Sequence, residues 1–309
     1  MAKGLVLAFH KEDDEGLFEQ ILLALKAGYG LVSAAELEQL LLQKKNTSGI
    51  CHVTFDDGHR SFYETVFPLL KKHQVPVSLF VSPEIISSET NFWFQEMEGY
   101  DESVLKNILA DELNIVLHTL DPYAAMDIFK CLPIAHITRI IEIYQRQTGC
   151  GKKQPQNMNR VQLKELDASG LVNIGAHSMQ HPVLQNERDE SSFTEINRSV
   201  TELGKLLGRP VRYFAYPNGR PGIDFAGREM NYLAQSGISM AFSTELDTLS
   251  ANKNLLAVPR MGFARMGLSP SNPLIKFRLN LGKQWIDIRS IGKPSEREIR
   301  NRIKKIIGG

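Results

Sequence analysis

The stretch Ile50-Cys-His-Val-Thr-Phe-Asp56-Asp57-Gly58 decides the architecture: a strand-forming, largely apolar run passes straight into two adjacent carboxylates and a glycine. A short apolar run bounded by turn chemistry reads as a buried strand. Working outward, comparable runs occur at residues 4–9, 77–81, 171–176, 212–215 and 238–242. Helical patterns lie between them. Ser33-Ala-Ala-Glu36 is a capping box that opens a helix through about Gln43, and Asn159 with Gln162 resembles a second such start ahead of Leu163 and Leu166. Residues 191–207 carry Phe193, Ile196, Val200, Leu203 and Leu207 at helical spacing and stop at Gly208-Arg209-Pro210. This alternation predicts an α/β chain of βα units around a largely parallel sheet or barrel.

Residues 87–157 break the alternation, being mostly helical in pattern with Phe92, Trp93 and Phe94 together. They read as an insertion that either packs over one end of the barrel or shapes a substrate cleft. After Pro270 the composition turns basic, with Lys276, Arg278, Lys283, Arg289 and Lys293 ahead of a terminal helical pattern. The expected organisation is a barrel over 1–270, with the insertion at about 87–157, and a basic extension over 271–309.

The chain has 309 residues, 42% hydrophobic and 23% charged, with a formal net charge of +1. That suffices for a full core, and it gives no basic footprint for a nucleic-acid partner. Cys51, Cys131 and Cys150 are odd in number and lack C-x-x-C spacing, which suggests neither a disulfide framework nor a cysteine metal site and fits a reducing compartment. No run approaches the roughly 20 apolar residues needed to span a bilayer. The apolar start is followed by charged Lys11 to Glu15, so it reads as a strand and not as a signal peptide.

Three constellations carry chemistry. Asp56 and Asp57 repel each other unless a cation or a shared proton offsets their charge, although Asp-Asp-Gly is also ordinary turn chemistry. His177-Ser-Met-Gln-His181-Pro182 places two imidazoles where a turned segment can aim both at one ion, and it can equally be two unrelated surface histidines. Tyr216-Pro-Asn218-Gly219 is a rigid turn whose N–H groups can face a developing oxyanion, or simply a turn. All three follow the C-terminal end of an expected strand, as His10 does. In a parallel barrel those ends share one face.

Thr54-Phe-Asp-Asp-Gly58, His177-Ser-x-x-His181-Pro and Phe214-Ala-Tyr-Pro-Asn-Gly219 resemble, in that order, the motifs of the NodB-type polysaccharide deacetylases, the family 4 carbohydrate esterases. Phe67 to Val81, Leu206 to Pro210 and Val258-Pro-Arg260 extend the resemblance over most of residues 1–265. It implies a distorted, incomplete (β/α) barrel of the NodB-homology type. It also implies a metal-dependent hydrolase that removes an N-acetyl or other small acyl group from an aminosugar. Within it Asp56 is the general base, and Asp57, His177 and His181 hold one divalent metal, zinc foremost, while a backbone N–H near Asn218 contacts the oxyanion.

The chain departs from the family in two places. Many members have an Arg-Pro-Pro-Tyr turn whose arginine orients the base; here that arginine's place is taken by Ala215, as in the Phe-Ala-Tyr-Pro subgroup, and Arg260 is the candidate substitute partner for Asp56, or else a surface arginine. The late Leu-x-His motif that supplies a general acid is not evident, so His10 is the candidate acid, or else a structural residue behind the site. Two rival readings remain: hydrolysis of a non-sugar linear or cyclic amide on the same fold, and a glycan-binding barrel without turnover. In the tail, Ser295-Glu-Arg-Glu298 reads as a capping box, with Ile299, Ile303, Ile306 and Ile307 on one face and Arg300, Arg302, Lys304 and Lys305 around it. That helix either docks its isoleucines on the barrel or rests on an anionic membrane surface. The second alternative implies a cytoplasmic enzyme at the inner membrane, acting on a lipid-linked or nucleotide-activated sugar.

Overall fold

A computed structural model describes residues 3–251, 253–262 and 294–308. Its strands are β1 (Leu5–Phe9), β2 (Gly30–Leu31), β3 (Ile50–Phe55), β4 (Val77–Val81), β5 (Val172–Ala176), β6 (Tyr213–Ala215), β7 (Met240–Phe242) and β8 (Met261–Gly262). They form one sheet in the order β7-β6-β5-β4-β3-β1-β8, with β2 beside β3, and every pairing is parallel. The sheet curls into an incomplete barrel, and a parallel bridge from Phe242 to Val258 ties β7 to the segment entering β8. The two-residue strands β2 and β8 have too little sequence of their own to announce a strand.

The barrel helices are α1 (Glu15–Gly28), α2 (Ala34–Leu42), α3 (Phe67–His73) and α4 (Pro83–Ser88), followed by the insertion helices α5 (Trp93–Met97), α6 (Glu102–Leu113), α7 (Ala125–Phe129) and α8 (Ile134–Thr148). Then come α9 (Arg160–Ala168), α10 (Asp189–Leu207), α11 (Gly227–Gln235) and α12 (Glu296–Gly308). The capping boxes at Ser33 and Asn159 form, and α10 ends on Gly208 in the left-handed region at φ 70°. Glycine takes that conformation without a Cβ penalty.

Alternation along the strands sorts the core. Leu5, Leu7 and Phe9 of β1, Cys51, Val53 and Phe55 of β3, and Val77, Leu79 and Val81 of β4 face the surrounding helices in one apolar cluster. Their neighbours Val6 and Phe80 face the barrel interior with Tyr213, Met240 and Phe242. Side chains alternate with a period of two, so His52, Thr54 and Asp56 also share the interior side.

The insertion has its own apolar cluster, with Trp93, Leu109, Phe129 and Ile140 buried in it. α12 completes that cluster: Ile303 is fully buried there, with Ile299, Ile306 and Ile307 packed beside it. The isoleucines therefore dock on the insertion, not on the barrel. Arg300, expected on the basic rim, is instead buried, because it pairs with Asp224 and Glu296. Arg302, Lys304 and Lys305 remain exposed. The basic stretch expected from 271 to 293 lies outside the described residues. Among the described residues no helix is long and apolar enough to cross a membrane.

Candidate active site

Parallel pairing carries His10, Asp56, Asp57, His177, His181 and Asn218 to one rim, whereas Arg260 precedes β8 and reaches Asp56 through its side chain. The ladders run one residue past the strands: Asp56 N–H donates to the Phe9 carbonyl at 3.0 Å, His177 N–H to Val81 at 3.0 Å and Tyr216 N–H to Phe242 at 3.2 Å. These bonds hold Asp56, His177 and Tyr216 in register with the neighbouring strands. Beyond them the backbone turns sharply. Asp57, Ser178, His181 and Asn218 all have positive φ, between 58° and 71°. Residues with a Cβ rarely adopt that region, and such outliers gather where surrounding structure enforces them. Gly58 follows at φ 70°, where a Cβ would meet Val81 Cγ1 at 3.0 Å.

Asp57, His177 and His181 converge. Asp57 Oδ1 lies 3.6 Å from His177 Nε2 and 3.7 Å from His181 Nε2, and all three residues are buried. A tetrahedral ion with ligand distances of about 2.1 Å separates its ligands by about 3.4 Å, so the spacing fits. Asp57 Oδ1 has no hydrogen-bond partner among the described residues, an orphaned buried acceptor that a cation would satisfy. His177 Nδ1 faces the Ala215 carbonyl at 2.7 Å, which makes Nδ1 the donor and leaves the Nε2 lone pair for a ligand. Burial raises the Asp57 carboxyl, and burial together with the charge of His177 holds His181 well below its ordinary value. The two imidazoles and one carboxylate thus fit a divalent metal.

Asp56 belongs to a different arrangement. Arg260, 0% exposed, grips both its oxygens, Nη1 to Oδ1 at 2.8 Å and Nη2 to Oδ2 at 2.8 Å. The same guanidinium donates to Thr54 Oγ1 at 3.1 Å and to the Ser243 carbonyl at 3.1 Å. Burial by itself raises the Asp56 carboxyl, but the Arg260 charge, His177 and the two-pronged bond outweigh it and hold Asp56 well below the usual carboxylate range. His10 stands at the open side, 58% exposed, with Nε2 4.0 Å from Asp56 Oδ2, too long for a hydrogen bond. The Asn218 carbonyl accepts from Thr244 Oγ1 at 2.6 Å, which latches its turn to the chain after β7, while its Nδ2 is buried with no partner among the described residues.

Two contributors lack a sequence signal. Trp93 Nε1 donates to the His181 carbonyl at 3.0 Å, and the stacked rings of Phe92 and Phe94 stand edge-on to the His181 imidazole, with centroids 5.5 and 5.1 Å away. Adjacency of three aromatics marks the insertion as notable but does not say which loop it meets. Glu195 of α10 accepts the N–H groups of Met179 and Gln180, each at 3.0 Å. Burial pushes its carboxyl up to about 7 in spite of those two bonds. In the sequence it is one more polar residue of an amphipathic helix.

The family model described as polysaccharide deacetylase matches residues 43–149 and 148–240. Among solved structures, the Streptococcus pyogenes deacetylase PplD in complex with acetate aligns with a TM-score of 0.57 at 18% identity, over 88% of this chain and 97% of that one. IcaB from Ammonifex degensii aligns with a TM-score of 0.57 at 21% identity, over 85% and 93%. A de-N-acetylase from Aggregatibacter actinomycetemcomitans aligns with a TM-score of 0.55 at 16% identity, over 90% and 99%. At these identities the likeness establishes a shared fold. No curated protein sequence matches.

Proposed function

Since the chain belongs to the polysaccharide deacetylase family, we propose that it removes an N-acetyl or other small acyl group from an aminosugar in a glycan or glycoconjugate precursor, with one divalent metal, zinc foremost, held by Asp57, His177 and His181. The observation that carries this reading is the convergence of those three donors beside a second carboxylate, Asp56, that is clamped and not part of the donor set. A divalent ion so held supplies Lewis acidity and lowers the pKa of water.

The remaining chemistry falls to the chain. Asp56, kept ionised and oriented by Arg260, takes the proton of the attacking water. The clamp fixes direction at some expense of basicity. His10, on the exposed side of Asp56, gives a proton to the departing amine. A backbone N–H near Asn218 faces the developing oxyanion. Water thus adds across the amide, and a carboxylic acid and a free amino sugar leave.

Arg260 reaching Asp56 from the β8 side, in a chain with Ala215 in the third motif, supports the Phe-Ala-Tyr-Pro subgroup. Three free cysteines, Cys150 exposed, support a cytoplasmic setting. Exposed Arg302, Lys304 and Lys305 suit an anionic membrane surface, and an enzyme placed there would act on a lipid-linked or nucleotide-activated sugar.

Bound metal and turnover, measured side by side, test the roles. Asp56→Asn keeps the metal and loses turnover, and His10→Ala keeps the metal with turnover down by on the order of 10² to 10⁴-fold. Asp57→Asn, His177→Ala and His181→Ala lose the metal. If Asp56→Asn loses metal while Asp57→Asn keeps it, the assignment is reversed. Turnover of small cyclic amides in place of acetylated aminosugars overturns the substrate class.

A further inference from the structure

The segment from His177 to His181 must turn within five residues so that both imidazoles face Asp57. It does so with Ser178 and His181 both at φ 61°. Each is a backbone conformation that a residue with a Cβ holds only under constraint. From within, Ser178 Oγ accepts the His181 N–H at 3.0 Å. From outside comes Glu195: its Oε2 alone accepts two successive backbone N–H groups, those of Met179 and Gln180, each at 3.0 Å. Gln180 is held a second time, its Nε2 donating to Glu84 Oε1 at 2.8 Å. Two successive N–H groups aimed at one acceptor form a small anion cradle, and the bonds are charge-assisted when the acceptor is a carboxylate.

We propose that Glu195 is a positioning residue of the metal site, its carboxylate oxygen fixing the peptide groups of Met179 and Gln180 so that His177 and His181 aim at one point. The proposal rests on the reading that these histidines and Asp57 hold a divalent ion. The hydrogen bonds of Glu195 go to backbone N–H groups between the two histidines, so its effect passes through the backbone. It stands on α10, a five-turn helix packed against β5, and therefore joins the loop to a rigid support. Groups that orient metal ligands from behind change metal affinity by about 10 to 100-fold when removed.

The test is the zinc dissociation constant of the metal-stripped full chain, read by competition with a chromophoric chelator, beside the melting temperature of the same metal-free protein. Glu195→Ala is expected to bind zinc about 10 to 100-fold more weakly per folded molecule. Glu195→Gln, whose Oε1 can accept both bonds without charge, is expected to stay within about threefold of the parent. Glu195→Asp, one methylene short, is expected to weaken zinc and keeps the question open to refutation if the alanine variant does not fold. Parent-like affinity in the alanine or aspartate variant overturns the proposal. So does a glutamine variant as weak as alanine, since charge and not the bonds would then be acting. If the parent itself binds no zinc and His177→Ala changes nothing, it is the metal reading that fails.

Discussion

At the scale of single residues, the Asp56 and Arg260 pair sets the terms. Two buried charges offset each other only while both are present, and removing one typically costs about 3–5 kcal/mol. Arg260→Met should therefore lower stability by about that amount, measured by denaturant unfolding of the metal-free protein. A loss under about 1 kcal/mol would mean that water reaches Asp56 in the folded chain and that the clamp is dispensable. Asp56→Asn is the catalytic variant closest in shape, yet it too should lower stability, since its Oδ1 can accept one Arg260 bond while its Nδ2, a donor, cannot accept the other and the guanidinium charge loses its partner. His52 offers a pH prediction. Its ring is buried between the Val32 carbonyl and Ser78 Oγ, and burial lowers its pKa from 6.5 to about 4. The folded value lies below the unfolded one, so between them the unfolded chain binds more protons. The stabilisation from neutral His52 is then fully present above about 6.5 and is lost as pH falls toward 4. A ring titration followed by NMR should give a midpoint near 4; a midpoint near 6.5 would remove His52 from the acid limb of stability.

At the scale of elements, the insertion is tied to the loop that carries His177 and His181. Trp93 is fixed by the α5–α8 cluster and donates to the carbonyl of His181, whose backbone is left-handed. Trp93→Phe keeps an aromatic ring beside Phe129 but removes the N–H together with part of the buried indole. It should cost about 2–3 kcal/mol of stability, hydrogen bond and cavity together, and weaken zinc several-fold, because a freed His181 carbonyl no longer holds its residue in place. Unchanged zinc affinity would reduce the insertion to packing. The capping boxes at Ser33 and Asn159 and the glycine stop after α10 were legible because each is a local rule: a side chain three residues away, or a missing Cβ, suffices. The placement of the insertion against His181 was not legible, because Trp93 and His181 lie 88 residues apart and no local pattern encodes a bond of that span.

At the scale of the whole molecule, α12 closes the structure by covering the insertion and burying Arg300 against Asp224, whose Oδ2 in turn accepts the Arg220 N–H beside the Asn218 turn. Ile303→Ala, at a fully buried position, should cost about 2–5 kcal/mol, read as a lowered unfolding midpoint. An effect below about 0.5 kcal/mol would mean that α12 lifts from the insertion in solution and that its isoleucines are free for a membrane or another partner. Much of the candidate site's face was legible in the sequence. Strand length, period-two alternation and the turn residues after each strand determine which side chains stand at the strand ends, and the motifs resemble one family in order and spacing. The sequence also named Asp56, Asp57, His177 and His181 together. What it left open was every choice that depends on long-range approach: whether Arg260 is a surface arginine or the clamp on Asp56, where the tail's isoleucines dock, and which residue of α10 meets the histidine loop. Those were decided by tertiary structure, because the curl of the sheet and the burial of its interior determine which distant charges and N–H groups must satisfy one another away from water.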